Sequence, residues 1–161
     1  MSKTGYTAPA APGRGEFSRA RIALVATRWN ADIVEALLAG ARRGLQAWGV
    51  AARAVTELYA PGAYELPLAC ELAARSRRYD GVVALGAVIR GDTPHFDFVA
   101  GECARGLQDV ALRHRLPVGF GVLTVHDARQ ARDRAGPGPD NKGVEAAQAV
   151  LEMLRLKRAL R

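Results

Sequence analysis

The sequence predicts an α/β protein, a three-layer α/β/α sandwich around a four-stranded parallel sheet. Three observations predict it. Apolar runs at residues 22–26 and 81–89 are continuous, as in strands covered on both faces, and lack the alternation of a half-exposed sheet. Each strand-like run is followed by a segment whose apolar residues recur at the helical period. The connections are short, and strand-then-helix units joined this way build parallel sheets through right-handed crossovers.

In chain order, the first strand covers 22–26. Asn30 is placed to cap the next helix and Asp32 suits its first turn; Ile33, Val34, Leu37, Leu38, Ala41, Leu45 and Trp48 carry the period until Gly49 stops it. A second strand covers 54–58, with Pro61-Gly62 as the turn after it. Pro67 then sits in the first turn of a helix running to about Arg77, where a missing N–H is tolerated. The third strand covers 81–89, and Thr93 as N-cap with Pro94 as first helical residue opens a helix ending near His114. A fourth strand covers 118–124, followed by a short helix at 128–134 and a long one from Lys142 to about Leu160. Residues 1–18 are rich in Gly, Pro, Ala and Ser, read as a flexible tail, and leave one domain over 19–161.

Composition narrows the function. A chain of 161 residues with 49% hydrophobic content supports one buried core. No run approaches the roughly 20 apolar residues of a membrane span, and the first residues lack a secretory pattern. The expectation is a cytoplasmic protein with no membrane partner. Cys70 and Cys103 lie in apolar helical patterns without metal-ligand spacing and read as reduced packing residues; no metal is expected. Of the formal charge of +7, residues 1–20 hold +2 and residues 151–161 hold +3, leaving +2 for the body. With no basic recognition helix and no aromatic-rich strand, these charges read as a solvated surface, and no nucleic-acid partner is expected. Neither a dinucleotide fingerprint nor a P-loop is present.

Parallel sheets bind ligands beyond the carboxyl ends of their strands, which directs attention to segments 27–30, 59–66, 89–96 and 124–127. Gly91, Asp92, Thr93, Pro94 and His95 form a helix start whose free N–H groups suit an anion. His95, in the first turn at the positive end of the helix dipole, is expected to stay neutral near pH 7 and to serve as a proton acceptor. His126 follows the fourth strand at the same edge, whereas His114 lies at the far end of its helix. Trp29 offers a stacking surface for a planar ring, or else closes the core as a loop aromatic. Glu65, beside Tyr64, can accept hydrogen bonds from hydroxyl groups, or is simply solvated. Arg134 and Lys142 flank a Gly- and Pro-rich loop and suit a phosphate, or else a solvated face.

Together these segments resemble the lumazine synthase family over residues 21–155. The carriers are Trp29-Asn30, the run Pro61-Gly62-Ala63-Tyr64-Glu65-Leu66-Pro67, the stretch from Gly86 to Asp97, the strand from Phe120 to Thr124, and Arg134-Ala135-Gly136 with Asn141-Lys142-Gly143. The resemblance implies a flavodoxin-like sandwich and a transferase that needs no cofactor. It condenses 5-amino-6-(D-ribitylamino)uracil with 3,4-dihydroxy-2-butanone 4-phosphate to 6,7-dimethyl-8-ribityllumazine, releasing phosphate and water, the penultimate step of riboflavin biosynthesis. It further implies that Trp29 stacks on the pyrimidine, that Ala63, Tyr64 and Val88 line its edge, and that Glu65 binds the ribityl chain. Gly91, Asp92, Thr93 and Arg134 would hold the phosphate, His95 would move protons, and Phe120 and Lys142 would complete the pocket.

The resemblance also implies a homo-oligomer, a pentamer or a 60-subunit shell of twelve pentamers, with the site between subunits and riboflavin synthase as a further partner. Asp92 departs from an ideal phosphate turn by adding a carboxylate, and Pro137 and Pro139 stiffen a loop that is otherwise short enough for the shell. Two other readings share the fold: a catalytically weak lumazine- or flavin-binding shell protein, and an enzyme that dismutates the lumazine.

Overall fold

The computed structural model describes residues 5–161. β1 (Ile22–Thr27) is buried along its whole length because it lies inside the sheet, flanked by β2 (Val55–Ala60) and β3 (Gly81–Ile89). β4 (Val118–Val125) closes the other side, giving a four-stranded sheet in the order β2-β1-β3-β4. All pairings are parallel, with Ala26 opposite Leu85 and Ala84 opposite Phe120. This is the expected α/β sandwich, and its strand order is that of the flavodoxin-like sheets as far as four strands carry it.

Two helical layers cover the sheet. On one face, α1 (Ala31–Ala47), α4 (Ala128–Arg134) and α5 (Lys142–Ala159) pack on Leu24, Val83 and Leu85. On the other, α2 (Leu66–Arg75) and α3 (His95–His114) pack on Val25, Val82 and Ala84. Adjacent residues of one strand thus enter opposite cores, which explains why the strands read as unbroken apolar runs. α1 and α5 approach closely at Gly143, where an added Cβ would collide with the Leu37 carbonyl oxygen. Cys70 and Cys103 are free thiols in the second core, both pushed up to about 12 by burial, and act as packing residues.

Several sequence expectations shift. Helix α2 ends at Arg75, two residues earlier than predicted; β2 runs from Val55 to Ala60; and β4 extends to Val125. The predicted tail over 1–18 is shortened. Its first four residues lie outside the described part of the chain, but residues 13–20 fold as turns onto the α1–α5 layer. There Phe17 is 0% exposed, with its ring 5.6 Å from that of Trp48, and Glu16 pairs with Arg155 at 2.6 Å. Phe17 and the Glu16–Arg155 pair together anchor this segment, and composition averaged over the tail concealed them. Among the described residues, no helix is long and apolar enough to cross a membrane.

Candidate active site at the carboxyl edge of the sheet

β1 and β3 are neighbours, so the loops that leave them are neighbours too. Asn30 ties the two together. It does not cap α1 through its side chain, as the sequence suggested; it adopts a left-handed conformation (φ 56), and its Nδ2 donates to the Ala87 carbonyl oxygen at 3.1 Å. Asparagine is among the few residues that tolerate this backbone, and the bond pins the Trp29 loop to β3.

Trp29 is 72% exposed, which removes the reading of a loop aromatic that closes the core. Its indole edge lies along Gly62: a Cβ added there would stand 3.3 Å from Trp29 Cδ1 and 3.2 Å from Glu65 Oε2. Trp29, Gly62 and Glu65 therefore form one wall, and glycine is the residue that lets the indole come so near. Ala63, Tyr64 and Glu65 make a 3₁₀ turn leading directly into α2; Ala63 is buried, while Tyr64 and Glu65 are exposed. Val88 is half-buried near the end of β3.

The turn after β3 starts its helix one residue later than predicted. Pro94 occupies the N-cap position with an α-region backbone, and α3 begins at His95. Thr93 is therefore not the N-cap. Its hydroxyl accepts a long 3.4 Å bond from the His95 N–H, and the Asp97 N–H turns back to the Pro94 carbonyl oxygen at 3.0 Å. The physical reason is the proline itself, whose α-region geometry begins the helical turn before any side-chain cap can act. The N–H groups of Asp92, Thr93 and Phe96 have no acceptor among the described residues, so the turn keeps donors for an anion at the positive end of a 20-residue helix. Asp92 and His95 are both exposed beside it.

Sequence reasoning missed the groups that brace this turn. Arg90 Nη2 donates to Asp97 Oδ1 at 2.8 Å, and its guanidinium stands 4.3 Å from the centre of the Phe96 ring. The brace spans the segment that contains Gly91 to His95. A cation and a carboxylate on either side of the helix start were the available signal.

Among the described residues, no hydrogen bond or ion pair joins the remaining candidates to Trp29, Glu65 or the turn from Asp92 to His95. Phe120 is 49% exposed near the beginning of β4, five residues before its carboxyl end at Val125. Arg134 closes α4, where its Nη1 donates to the Gln130 carbonyl oxygen at 3.0 Å, and Lys142 opens α5 with its Nζ 2.7 Å from Glu145 Oε2. The loop joining them is held by buried Asn141. Its amide donates to the Ala36, Ala135 and Gly136 carbonyl oxygens at 2.9–3.0 Å, and its oxygen accepts from Gly143 N–H at 2.8 Å. His126 is exposed after β4, and His114 pairs with Glu71 at 2.7 Å at the far end of α3.

The architecture thus offers an exposed aromatic wall and a helix start with N–H donors unpaired among the described residues, after adjacent strands. Comparison with known proteins gives this edge its context. A chain from Desulfovibrio desulfuricans (strain ATCC 27774 / DSM 6949 / MB), a 6,7-dimethyl-8-ribityllumazine synthase, is 49% identical over 140 residues, which cover 87% of this chain and 90% of the relative. The family model for 6,7-dimethyl-8-ribityllumazine synthase matches residues 19–158. The chain belongs to the 6,7-dimethyl-8-ribityllumazine synthase family.

Proposed function

We propose that the carboxyl edge between β1 and β3 is the active site for the reaction that family membership gives this chain. That reaction is the condensation of 5-amino-6-(D-ribitylamino)uracil with 3,4-dihydroxy-2-butanone 4-phosphate to 6,7-dimethyl-8-ribityllumazine, with release of phosphate and water. The observation that carries the assignment is the Asn30–Ala87 bond, which sets the Trp29 wall beside the donor-rich turn from Asp92 to Phe96. One feature suits a flat pyrimidine and the other a phosphate.

In this reading the pyrimidine stacks on Trp29, with backbone at Ala63, Tyr64 and Val88 along its edge and Glu65 accepting from the ribityl hydroxyls. The keto-phosphate sits with its phosphate over Gly91, Asp92 and Thr93. The pyrimidine amine attacks the ketone, water leaves as the imine forms, phosphate is eliminated, and the second nitrogen closes the ring with loss of another water. His95, one residue beyond the phosphate turn, takes and returns the protons. Most of the acceleration comes from holding two substrates in register and offering preformed N–H donors to the leaving phosphate.

Phe120, Arg134 and Lys142 belong to the same pocket through a neighbouring subunit. Two observations support this: no hydrogen bond or ion pair among the described residues joins them to Trp29, Glu65 or the turn from Asp92 to His95 of their own chain, and the outer faces of α2 and α3 leave Leu68, Leu72, Phe98 and Leu112 exposed. A surface of that kind is covered in a working protein. The assembly is a pentamer, alone or as one of twelve in a 60-subunit shell, acting in the cytoplasm and passing its product to riboflavin synthase. The test is a two-substrate assay with sedimentation of the same sample. Lumazine absorbance with stoichiometric phosphate release from a pentamer or larger particle supports the reading. Turnover by a sedimenting monomer would overturn the shared site, and absence of both signals would overturn the assignment of the edge.

A further inference from the structure

The fold gathers basic residues from near both ends of the chain at one place, the edge of the sheet opposite His95. There the strands begin and α2, α3 and α5 end around an open cavity of about 670 Å3, within the roughly 300–1,000 Å3 of small-molecule sites. Arg19 and Arg21 enter it from the segment before β1, Arg77 from the turn after α2, and Arg113 from the end of α3. Lys157, Arg158 and Arg161 join them from the end of α5 and the residues beyond.

The opposing charge is already in use. Asp80 lines the cavity, and its Oδ2 accepts from the Arg21 backbone N–H at 2.8 Å and from Arg21 Nε at 3.4 Å. Glu71 is shared by His114 at 2.7 Å and Arg113 at 3.5 Å. Arg158 donates to the Glu16 carbonyl oxygen at 2.8 Å. Arg19, Arg77, Lys157, Arg158 and Arg161 have no carboxylate side-chain partner among the described residues. Cations do stabilise the negative ends of helices. That explanation covers Arg113, Lys157 and Arg158, in the last turns of α3 and α5, but not Arg19 and Arg77: both belong to no helix, and Arg77 holds a left-handed backbone (φ 55) that arginine seldom adopts.

We propose that this cavity binds a compact oligophosphate, at a site separate from the catalytic phosphate turn. Five cations without a carboxylate side-chain partner exceed what one phosphate monoester neutralises and suit an anion of about four to five charges, such as inorganic triphosphate. A single strand of nucleic acid is the poorer fit. It needs aromatic faces for its bases, and of the two rings in the cavity lining His114 is held by Glu71 at 2.7 Å, while Tyr79 has the Arg78 guanidinium 5.7 Å from its centre.

The test is a calorimetric titration of the full chain with inorganic triphosphate, using the wild type, Arg77→Ala/Lys157→Ala, Arg77→Lys/Lys157→Arg and Arg134→Ala. Binding should be alike in the wild type, the charge-conserving double variant and Arg134→Ala, and about tenfold or more weaker in the alanine double variant. The alanine double variant should form lumazine within about twofold of the wild-type rate, which also shows that it is folded. Equal affinity in all four proteins, or loss in Arg134→Ala alone, overturns the proposal. So does a short single-stranded RNA that displaces triphosphate at equal phosphate concentration and depends on the same two residues, since that marks a nucleic-acid surface.

Discussion

Arg90 and Asp97 bridge the turn that carries His95, with Arg90 Nη2 at 2.8 Å from Asp97 Oδ1 and Phe96 beneath the guanidinium. Both partners are partly exposed, with side-chain exposures of 38% and 60%, so the pair adds little to stability, roughly 0.2–1 kcal/mol. Its effect is positional. Arg90→Ala is expected to leave thermal unfolding within a few degrees of wild type while raising KM for the keto-phosphate about tenfold, because the donors of the turn lose their fixed aim. KM for the pyrimidine should move much less. Steady-state kinetics with each substrate varied in turn checks this, and an equal rise in both constants would refute the positional role.

His95→Gln keeps a polar side chain at the start of α3 and removes the proton acceptor. We expect kcat to fall about 10²–10⁴-fold with little change in product affinity. Trp29→Ala should behave in the opposite sense, weakening pyrimidine and lumazine binding by about 1–3 kcal/mol with a smaller effect on the rate-limiting chemistry. Single-turnover phosphate release and fluorescence titration of lumazine separate the two. If His95→Gln retains the wild-type rate, the proton-transfer assignment is wrong.

Asn141 holds three carbonyl oxygens and caps α5 through Gly143 and Val144, all while 2% exposed. Removing its amide strands several buried acceptors at once. Asn141→Ala is expected to cost about 2–4 kcal/mol from the lost cap and the unsatisfied carbonyls. Asn141→Asp should cost at least as much, because a carboxylate cannot donate to those carbonyls. Denaturant unfolding monitored by circular dichroism measures both, and a change under about 0.5 kcal/mol in either would contradict the network.

The Glu16–Arg155 pair makes the N-terminal segment sensitive to pH. The Arg155 guanidinium beside Glu16 holds its carboxyl below the ordinary value of 4.5. A carboxyl whose folded pKa is depressed contributes stability above its unfolded pKa and loses that contribution as pH falls through the folded value. The wild type should therefore melt slightly above Glu16→Gln at pH 7, and the gap should close as pH drops below about 4.5. Phe17→Ala removes a fully buried ring and should cost about 3–5 kcal/mol at any pH. A melt of Phe17→Ala superimposable on wild type would restore the longer tail.

What could be read in the residues alone was whatever depends on neighbours along the chain. The apolar run at Gly81–Ile89 and the helix Ala128–Arg134 appear with the bounds that local pattern predicts, because burial on two faces and helical spacing are written in consecutive residues. The parallel sheet followed from the alternation of those runs, and the anion-ready turn at Gly91 to His95 from its proline and its place after a strand.

Only the tertiary structure decided which groups meet. Asn30 looked like a helix cap, yet its amide goes to Ala87, 57 residues away; Glu16 looked like part of a tail, yet it pairs with Arg155, 139 residues away. Side-chain hydrogen bonds and ion pairs go to the partner that folding brings within reach, and local sequence carries no record of that partner. The same holds for charge. The basic residues from near both ends are separate in the chain and adjacent in the fold, because parallel crossovers return every strand start to one edge and set the candidate chemistry at the other.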